Sequence, residues 1–324
     1  TGYVNQGWSS KKNSEKATAK AKCTVNKNIT LYAVQKKAVQ LTFHRCDGST
    51  WQKTTLAKGS SYSLPGVRDA EGYTFMGWST KPMQSVSPQY EAEEKITVNG
   101  NVDLYAVVFN RTTETDLTED QLPQVDIYKY KQVIFVGDSR TEFMENVLTG
   151  MGESATKNVK FVCSAGKGLD WFTTTGWAQL YSIVQHDSNS ILSKKTAVIF
   201  NFGVNDLSKS ADYAEYYNWI APQLKSKGCE LYFMSVNPVN RLMLPNAGRA
   251  DRSEAAVRSF NQYMKANLSS AYTYIDMYSY LKSTGYSFAS DHYGTGTVDD
   301  GLHYTTRTYK RIFAKCMDSL RVPA

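Results

Sequence analysis

Val133-Ile134-Phe135-Val136-Gly137-Asp138-Ser139-Arg140 is an unbroken apolar run that stops at Gly-Asp-Ser. A short apolar run without alternation reads as a strand covered on both faces, as in a parallel sheet. Outward from it, strands are predicted at 132–138, 159–164, 196–202, 230–236 and 271–277. Between them Tyr213, Tyr217, Ile220 and Leu224 recur at helical spacing. So do Val257, Phe260, Met264 and Leu268, behind a capping-box-like Asp251-x-x-Glu254. Tyr309, Ile312, Phe313, Cys316 and Leu320 give a last helix its buried face. Strand–helix alternation predicts an α/β fold, a flavodoxin-like three-layer α/β/α sandwich around a parallel sheet.

Parallel strands deliver their carboxyl ends to one edge, where residues distant in sequence meet. Three further blocks belong at that edge: Cys163-Ser164-Ala165-Gly166-Lys167-Gly168-Leu169-Asp170, the strand ending in Gly203-Val204-Asn205-Asp206, and Asp300-Gly301-Leu302-His303 in a loop before the last helix. A serine, a histidine and an acid at one edge are the parts of an acyl-transfer site. A serine hydroxyl needs a base within hydrogen-bond reach, and His303, with an ordinary pKa near ~6.5, suits that task around neutral pH. Asp300, three residues earlier, suits the orienting acid. Asp299 competes for that role, and His292 beside Asp291 competes as base. Ser139 alone also reads as a helix cap, and Asn205-Asp206 as turn formers. Asp138 is expected to fix the strand-to-helix turn. The loop Asn240–Ala250, with Met243, Leu244 and Pro245, is placed on the same edge to line a substrate site.

These blocks resemble the SGNH (or GDSL) hydrolase family over roughly residues 130–324. The resemblance implies a serine esterase in which Ser139 is the nucleophile and Asp300 and His303 are the acid and base. It also implies an oxyanion hole made by the backbone N–H groups of Ser139 and Gly168 and by the Asn205 side chain. The second block departs from the commoner Asn-x-x-x-x-Gly form, so Gly166 stands as the alternative glycine. Other chemistries lack their motifs. The spacing of a phosphate loop, a Gly-x-Gly-x-x-Gly after the first strand and a His-Glu-x-x-His are all missing. The cysteines at 23, 46, 163, 229 and 316 have no zinc spacing and make no disulfide framework. No metal and no cofactor are expected. Cys163 and Cys316 read as buried thiols.

At 324 residues the chain has room for two or more domains. The net charge of +7 is local: residues 1–37 hold eight lysines and one glutamate, and the remainder is balanced. Nothing in the hydrolase part therefore favours nucleic acid. No apolar run is long enough to span a membrane. The opening Thr1-Gly2-Tyr3 has no signal segment, as expected of a piece of a longer polypeptide.

The front third repeats itself. Gly2-Tyr3 and Gly7-Trp8-Ser9 recur as Gly72-Tyr73 and Gly77-Trp78-Ser79, and Leu31-Tyr32-Ala33-Val34 recurs as Leu104-Tyr105-Ala106-Val107. The second copy opens with the strand Val39–Phe43, which the first lacks. This pattern resembles the Listeria–Bacteroides repeat, similar to the B-repeat of internalins, and implies small β-rich modules with a β-grasp-like fold. Trp8 and Trp78 are expected to fill their modules' cores. The expected organisation is a partial repeat at 1–37, a complete one at 38–110, a polar linker at 111–128 and the hydrolase at 129–324. Such repeats occur in surface-attached or secreted bacterial proteins, which implies an extracellular or cell-surface enzyme with a possible cell-wall association through the repeats. The expected substrate is a small acyl ester or acylated glycan, losing acetyl or another short acyl group. The competing classes are a surface adhesin with an inactive hydrolase domain, or a broad arylesterase, thioesterase or lipase.

Overall fold

The computed structural model describes residues 2–19, 22, 24–126, 129–186, 195–290 and 299–320. Contacts divide the chain into two units, Thr1–Pro65 with Met76–Val108 and Gly66–Phe75 with Phe109–Ala324. Among the described residues the repeats supply seven strands: β1 (Tyr3–Ser9), β2 (Tyr32–His44), β3 (Thr50–Ala57), β4 (Ser60–Ser63), β5 (Tyr73–Ser79), β6 (Lys95–Val98) and β7 (Val102–Asn110). They form a sheet in the order β1-β2-β7-β5, with β3 also paired to β2, and a separate β4/β6 ladder. The repeated words fall on corresponding strands. Gly7-Trp8-Ser9 ends β1 and Gly77-Trp78-Ser79 ends β5, while the Leu-Tyr-Ala-Val words lie at the start of β2 and within β7. The two tryptophans differ. Trp78 is fully buried, donates its indole N–H to the Pro65 carbonyl at 2.8 Å, and packs on Phe43 and Trp51 with ring centroids 4.8 and 5.8 Å away. Trp8 is 41% exposed, against expectation. The β2–β3 strands that cover Trp78 have no counterpart over Trp8 among the described residues.

The predicted parallel sheet is β8 (Tyr130–Gly137), β9 (Val159–Cys163), β10 (Lys195–Asn201), β11 (Cys229–Met234) and β12 (Tyr272–Ile275), in the order β12-β11-β10-β8-β9. The helices are α1 (Ser139–Met151), α2 (Leu169–Trp171), α3 (Trp177–His186), α4 (Ser210–Lys225), α5 (Glu254–Asn267), α6 (Met277–Thr284) and α7 (Thr306–Ser319). Period-2 geometry sends Ile134, Val136, Val198 and Phe200 to one face, where they join Leu180 and Val184 of α3, Tyr217 and Ile220 of α4, and Val257 and Phe260 of α5 in one core. Phe135 points to the other face, against Phe313 of α7, and α1 packs beside α7 there. Helices on both faces of a parallel sheet make the fold α/β. Strand order reverses between β8 and β10, so the crevice at their carboxyl ends is a topological switch point.

Three local expectations change. Helix α5 is capped by Ser253, whose side chain accepts the Ala256 N–H, not by Asp251. Asp251 is taken by the Arg241 guanidinium at 2.6 Å, and Glu254 is buried 3.0 Å from Lys282. Cys316 is buried, but Cys163 is only half-buried, because β9 is an edge strand; its thiol donates to Glu145 at 3.2 Å. Asp300–His303 lies in a strand, β14 (Asp299–Tyr304), paired antiparallel with β13 (Phe288–Ser290). Tyr304 stacks on Phe288 at 5.5 Å, which favours the ladder over a loop.

The polar stretch after Arg111 is held against the α/β layers. Buried Glu114 meets Arg311 of α7 at 3.0 Å and accepts hydrogen bonds from Ser287 (2.6 Å) and Thr308. Asp116 pairs with Lys310 at 2.5 Å.

Candidate active site

Each block enters the site from the carboxyl end of a strand or from β14. Asp138 ends the first block in extended conformation and caps α1, its carboxylate accepting the Arg140 N–H at 3.0 Å. Burial lifts that carboxyl to about 6, against the pull of the Arg140 N–H. With the cap filled by Asp138, Ser139 becomes the first helical residue and its hydroxyl is available to His303. His303 Nε2 lies 2.9 Å from Ser139 Oγ, and Nδ1 lies 2.5 Å from Asp300 Oδ2. An ionised carboxylate only accepts, so the proton sits on Nδ1 and Nε2 offers its lone pair to the serine hydroxyl.

All three side chains are buried. Burial pushes the His303 imidazole below its ordinary value, against the opposing pull of Asp300. For Asp300, burial acts upwards, but hydrogen bonds from the His303 ring and from the backbone N–H groups of His303 and Leu302 hold the carboxyl below the ordinary range. Phe143, one helical turn after Ser139, lies 4.5 Å from the imidazole by ring centroids. Asp299, the rival acid, is drawn to Arg111 at 2.5 Å. The rival base His292 and its neighbour Asp291 lie outside the described residues.

The second and third blocks are locked together. The Asn205 side-chain N–H₂ donates to the Lys167 carbonyl at 2.8 Å, and Asp206 accepts the Leu169 N–H at 2.9 Å and the Tyr213 hydroxyl at 2.7 Å. Gly168 is required there, because a Cβ would stand 2.4 Å from the Asp206 carboxylate. From α1, Glu142 accepts the Ala165 N–H at 2.6 Å. Asn205 and Asp206 thus do more than form a turn.

Two arginines complete the arrangement, and sequence reasoning missed both as site residues. Arg252 donates to the Asn205 Oδ1 at 2.8 Å and to the Val204 carbonyl at 2.7 Å, so the amide's oxygen is engaged and its nitrogen is turned towards the Lys167–Gly168 side. Arg140 donates to the carbonyls of Leu302, Asn237 and Pro238 at 3.0, 2.9 and 2.9 Å, joining the chain after β11 to β14. Their partners are mainly backbone carbonyls, which leave no spacing to read. In the loop Asn240–Ala250, Met243 and Leu244 are buried under Gly301 and Arg249 lies 3.4 Å from Asp300. Both side chains are buried, and their residues pack next to Gly301, between Asp300 and His303.

A serine, a histidine and an aspartate joined by hydrogen bonds in this order form an arrangement that can carry out acyl transfer. Comparison with known proteins agrees: the GDSL-like Lipase/Acylhydrolase family matches over residues 133–316. The chain belongs to that family. This GDSL hydrolase is an enzyme of the esterase type. Its front third matches the Listeria-Bacteroides repeat domain over residues 1–34 and 40–107. No curated protein matches it significantly. Solved structures similar to this GDSL hydrolase include three at low identity. The acetyl xylan esterase AlAXEase shares 10% identity with a TM-score of 0.39, over 59% of this chain and 100% of that one. TesA shares 15% identity with a TM-score of 0.37, over 59% and 98% of the two chains. The C-terminal catalytic domain of Streptococcus pneumoniae peptidoglycan O-acetyltransferase A shares 15% identity with a TM-score of 0.36, over 59% and 92%.

Proposed function

We propose that the chain is an extracellular serine esterase that removes acetyl or another short acyl group from a carbohydrate. The observation that carries the chemistry is the Ser139–His303–Asp300 chain of hydrogen bonds, 2.9 and 2.5 Å long. In this reading Ser139 Oγ attacks the ester carbonyl carbon while His303 Nε2 takes the hydroxyl proton. Negative charge on the carbonyl oxygen is met by the backbone N–H of Ser139, in the first turn of α1, by the Gly168 N–H, and by the second hydrogen of the Asn205 amide. Gly168 is preferred to Gly166 because Asn205 and Asp206 both bond the backbone next to it. Collapse expels the alcohol, which leaves with the proton from His303. A water molecule then gives a proton to His303, attacks the acyl-serine, and releases the acid with Ser139 restored. Asp300 keeps the imidazole in its Nδ1–H tautomer and stabilises the imidazolium.

The substrate class rests on context. The repeats resemble modules of bacterial surface proteins, for which we propose a β-grasp-like fold and a cell-wall association. A recessed Ser139 suits a small acyl group. No helix among the described residues is long and apolar enough to cross a membrane.

The test is hydrolysis of p-nitrophenyl esters of rising acyl length, then of acetylated polysaccharides. Turnover should be confined to acetyl and propionyl esters. It should fall by about 10⁴-fold or more in Ser139→Ala and His303→Ala, and by about 10²–10³-fold in Asn205→Ala. Unimpaired turnover in Ser139→Ala would sink the reading, and glycan binding without turnover would point to an adhesin.

A further inference from the structure

The residues on both sides of Asp300 are tied to one buried carboxylate that lies outside the family match. Arg111 Nη1 reaches Asp299 at 2.5 Å, and its Nη2 reaches Asp69 at 2.7 Å. On the other side, the Asn240 backbone N–H donates to the Gly301 carbonyl at 2.9 Å, while its side-chain N–H₂ donates to Asp69 at 2.8 Å and to the Val67 carbonyl at 3.1 Å. Gly301 has φ +68°, and a Cβ there would meet the Asn240 carbonyl oxygen at 2.5 Å, so these two backbones lie in direct contact. Asp69 also accepts the Phe75 N–H at 3.0 Å, and Arg111 Nε donates to Thr74 at 2.9 Å. Although Gly66–Phe75 falls within the second repeat by sequence, it groups with Phe109–Ala324 by contacts.

We propose that Asp69 is a positioning residue for the base: through Arg111 and Asn240 it grips Asp299 and Gly301, and thereby fixes the segment that carries Asp300 and His303. The inference rests on the roles given to Asp300 and His303 above. The Asp69 side chain has no solvent exposure, and a buried carboxylate is tolerated only when its partners are all present. Burial raises its carboxyl to about 6, against the pull of the Phe75 N–H and Arg111 and with Asp299 acting in the same upward direction. Without Asp69, Arg111 keeps only Asp299 and Thr74, and Asn240 keeps only Val67 and the backbone, so the segment gains freedom. Shifts of about 1 Å at a catalytic group cost up to ~10²-fold in rate.

The test uses the full chain, p-nitrophenyl acetate, and kcat and KM measured across pH for wild type, Asp69→Ala, Asp69→Asn and Ser139→Ala. Asp69→Ala should lower kcat by about 10–10²-fold with KM nearly unchanged, the pattern of lost transition-state geometry. The acid limb of kcat/KM should also move to lower pH. The charged groups facing His303 are Asp300, Arg140 and Arg249, and Asp300 acts against the downward push of burial and the arginines. Asp69→Asn, which keeps an acceptor for Asn240 and Phe75, should retain more of the rate. If Asp69→Ala does not fold, Asn240→Ala cuts one arm and is read the same way. A lower Tm with kcat and the acid limb unchanged would overturn the proposal and leave a structural role only. Turnover surviving in Ser139→Ala would instead overturn the site reading itself, a separate failure.

Discussion

His303 is the residue on which activity should depend most visibly. In the proposed role of general base it must be neutral, and burial shifts its titration below the ordinary imidazole value. Activity is therefore present above that pKa and lost as pH falls through it. The acid limb of kcat/KM for p-nitrophenyl acetate should inflect below about 6.5. A limb above that value would contradict the buried geometry. At this scale the sequence singled out Ser139, Asp300 and His303, which the structure joins by hydrogen bonds, and Asn205, which it bonds to Lys167, because each stands at a strand end or inside one short word of sequence. Arg140, Arg252, Asp69 and Arg111 were not singled out. Arg140 reaches backbone carbonyls 97, 98 and 162 residues away, and Asp69 meets the side chains of Arg111 and Asn240, 42 and 171 residues away; partners so distant leave no pattern to count.

At the scale of elements, periodicity located the five sheet strands to within a few residues, since apolar runs bounded by turns survive any tertiary context. It did not reveal β13 and β14, whose pairing depends on Tyr304 and Phe288 meeting across sequence. Polar composition likewise hid the docking of residues 111–117. The carboxylates of Glu114 and Asp116 look like linker residues until Arg311 and Lys310 of α7 are brought beside them. Both members of the Glu114–Arg311 pair are buried. Removing one partner leaves the other uncompensated, so Glu114→Ala should cost about 3–5 kcal/mol. Urea unfolding of the variant and wild type measures this; a loss below about 1 kcal/mol would show the pair to be solvated.

For the whole molecule, the family match begins at residue 133, but groups that bond its loops lie before it. A fragment starting at residue 129 keeps β8, Ser139, Asp300 and His303 and lacks Asp69, Arg111 and Glu114. Its Tm should fall, and its kcat should fall by about 10-fold or more relative to the full chain. Equal kcat in the two would mean that the α/β layers position the base unaided. The central claim, that Ser139 is the activated nucleophile, is tested most directly by reaction with phenylmethylsulfonyl fluoride, followed by digestion and mass spectrometry. One sulfonyl adduct should appear on the peptide containing Ser139, rise in step with loss of turnover, and be absent in Ser139→Ala. Turnover that persists with Ser139 fully labelled, or is lost through a label on another residue, would contradict it.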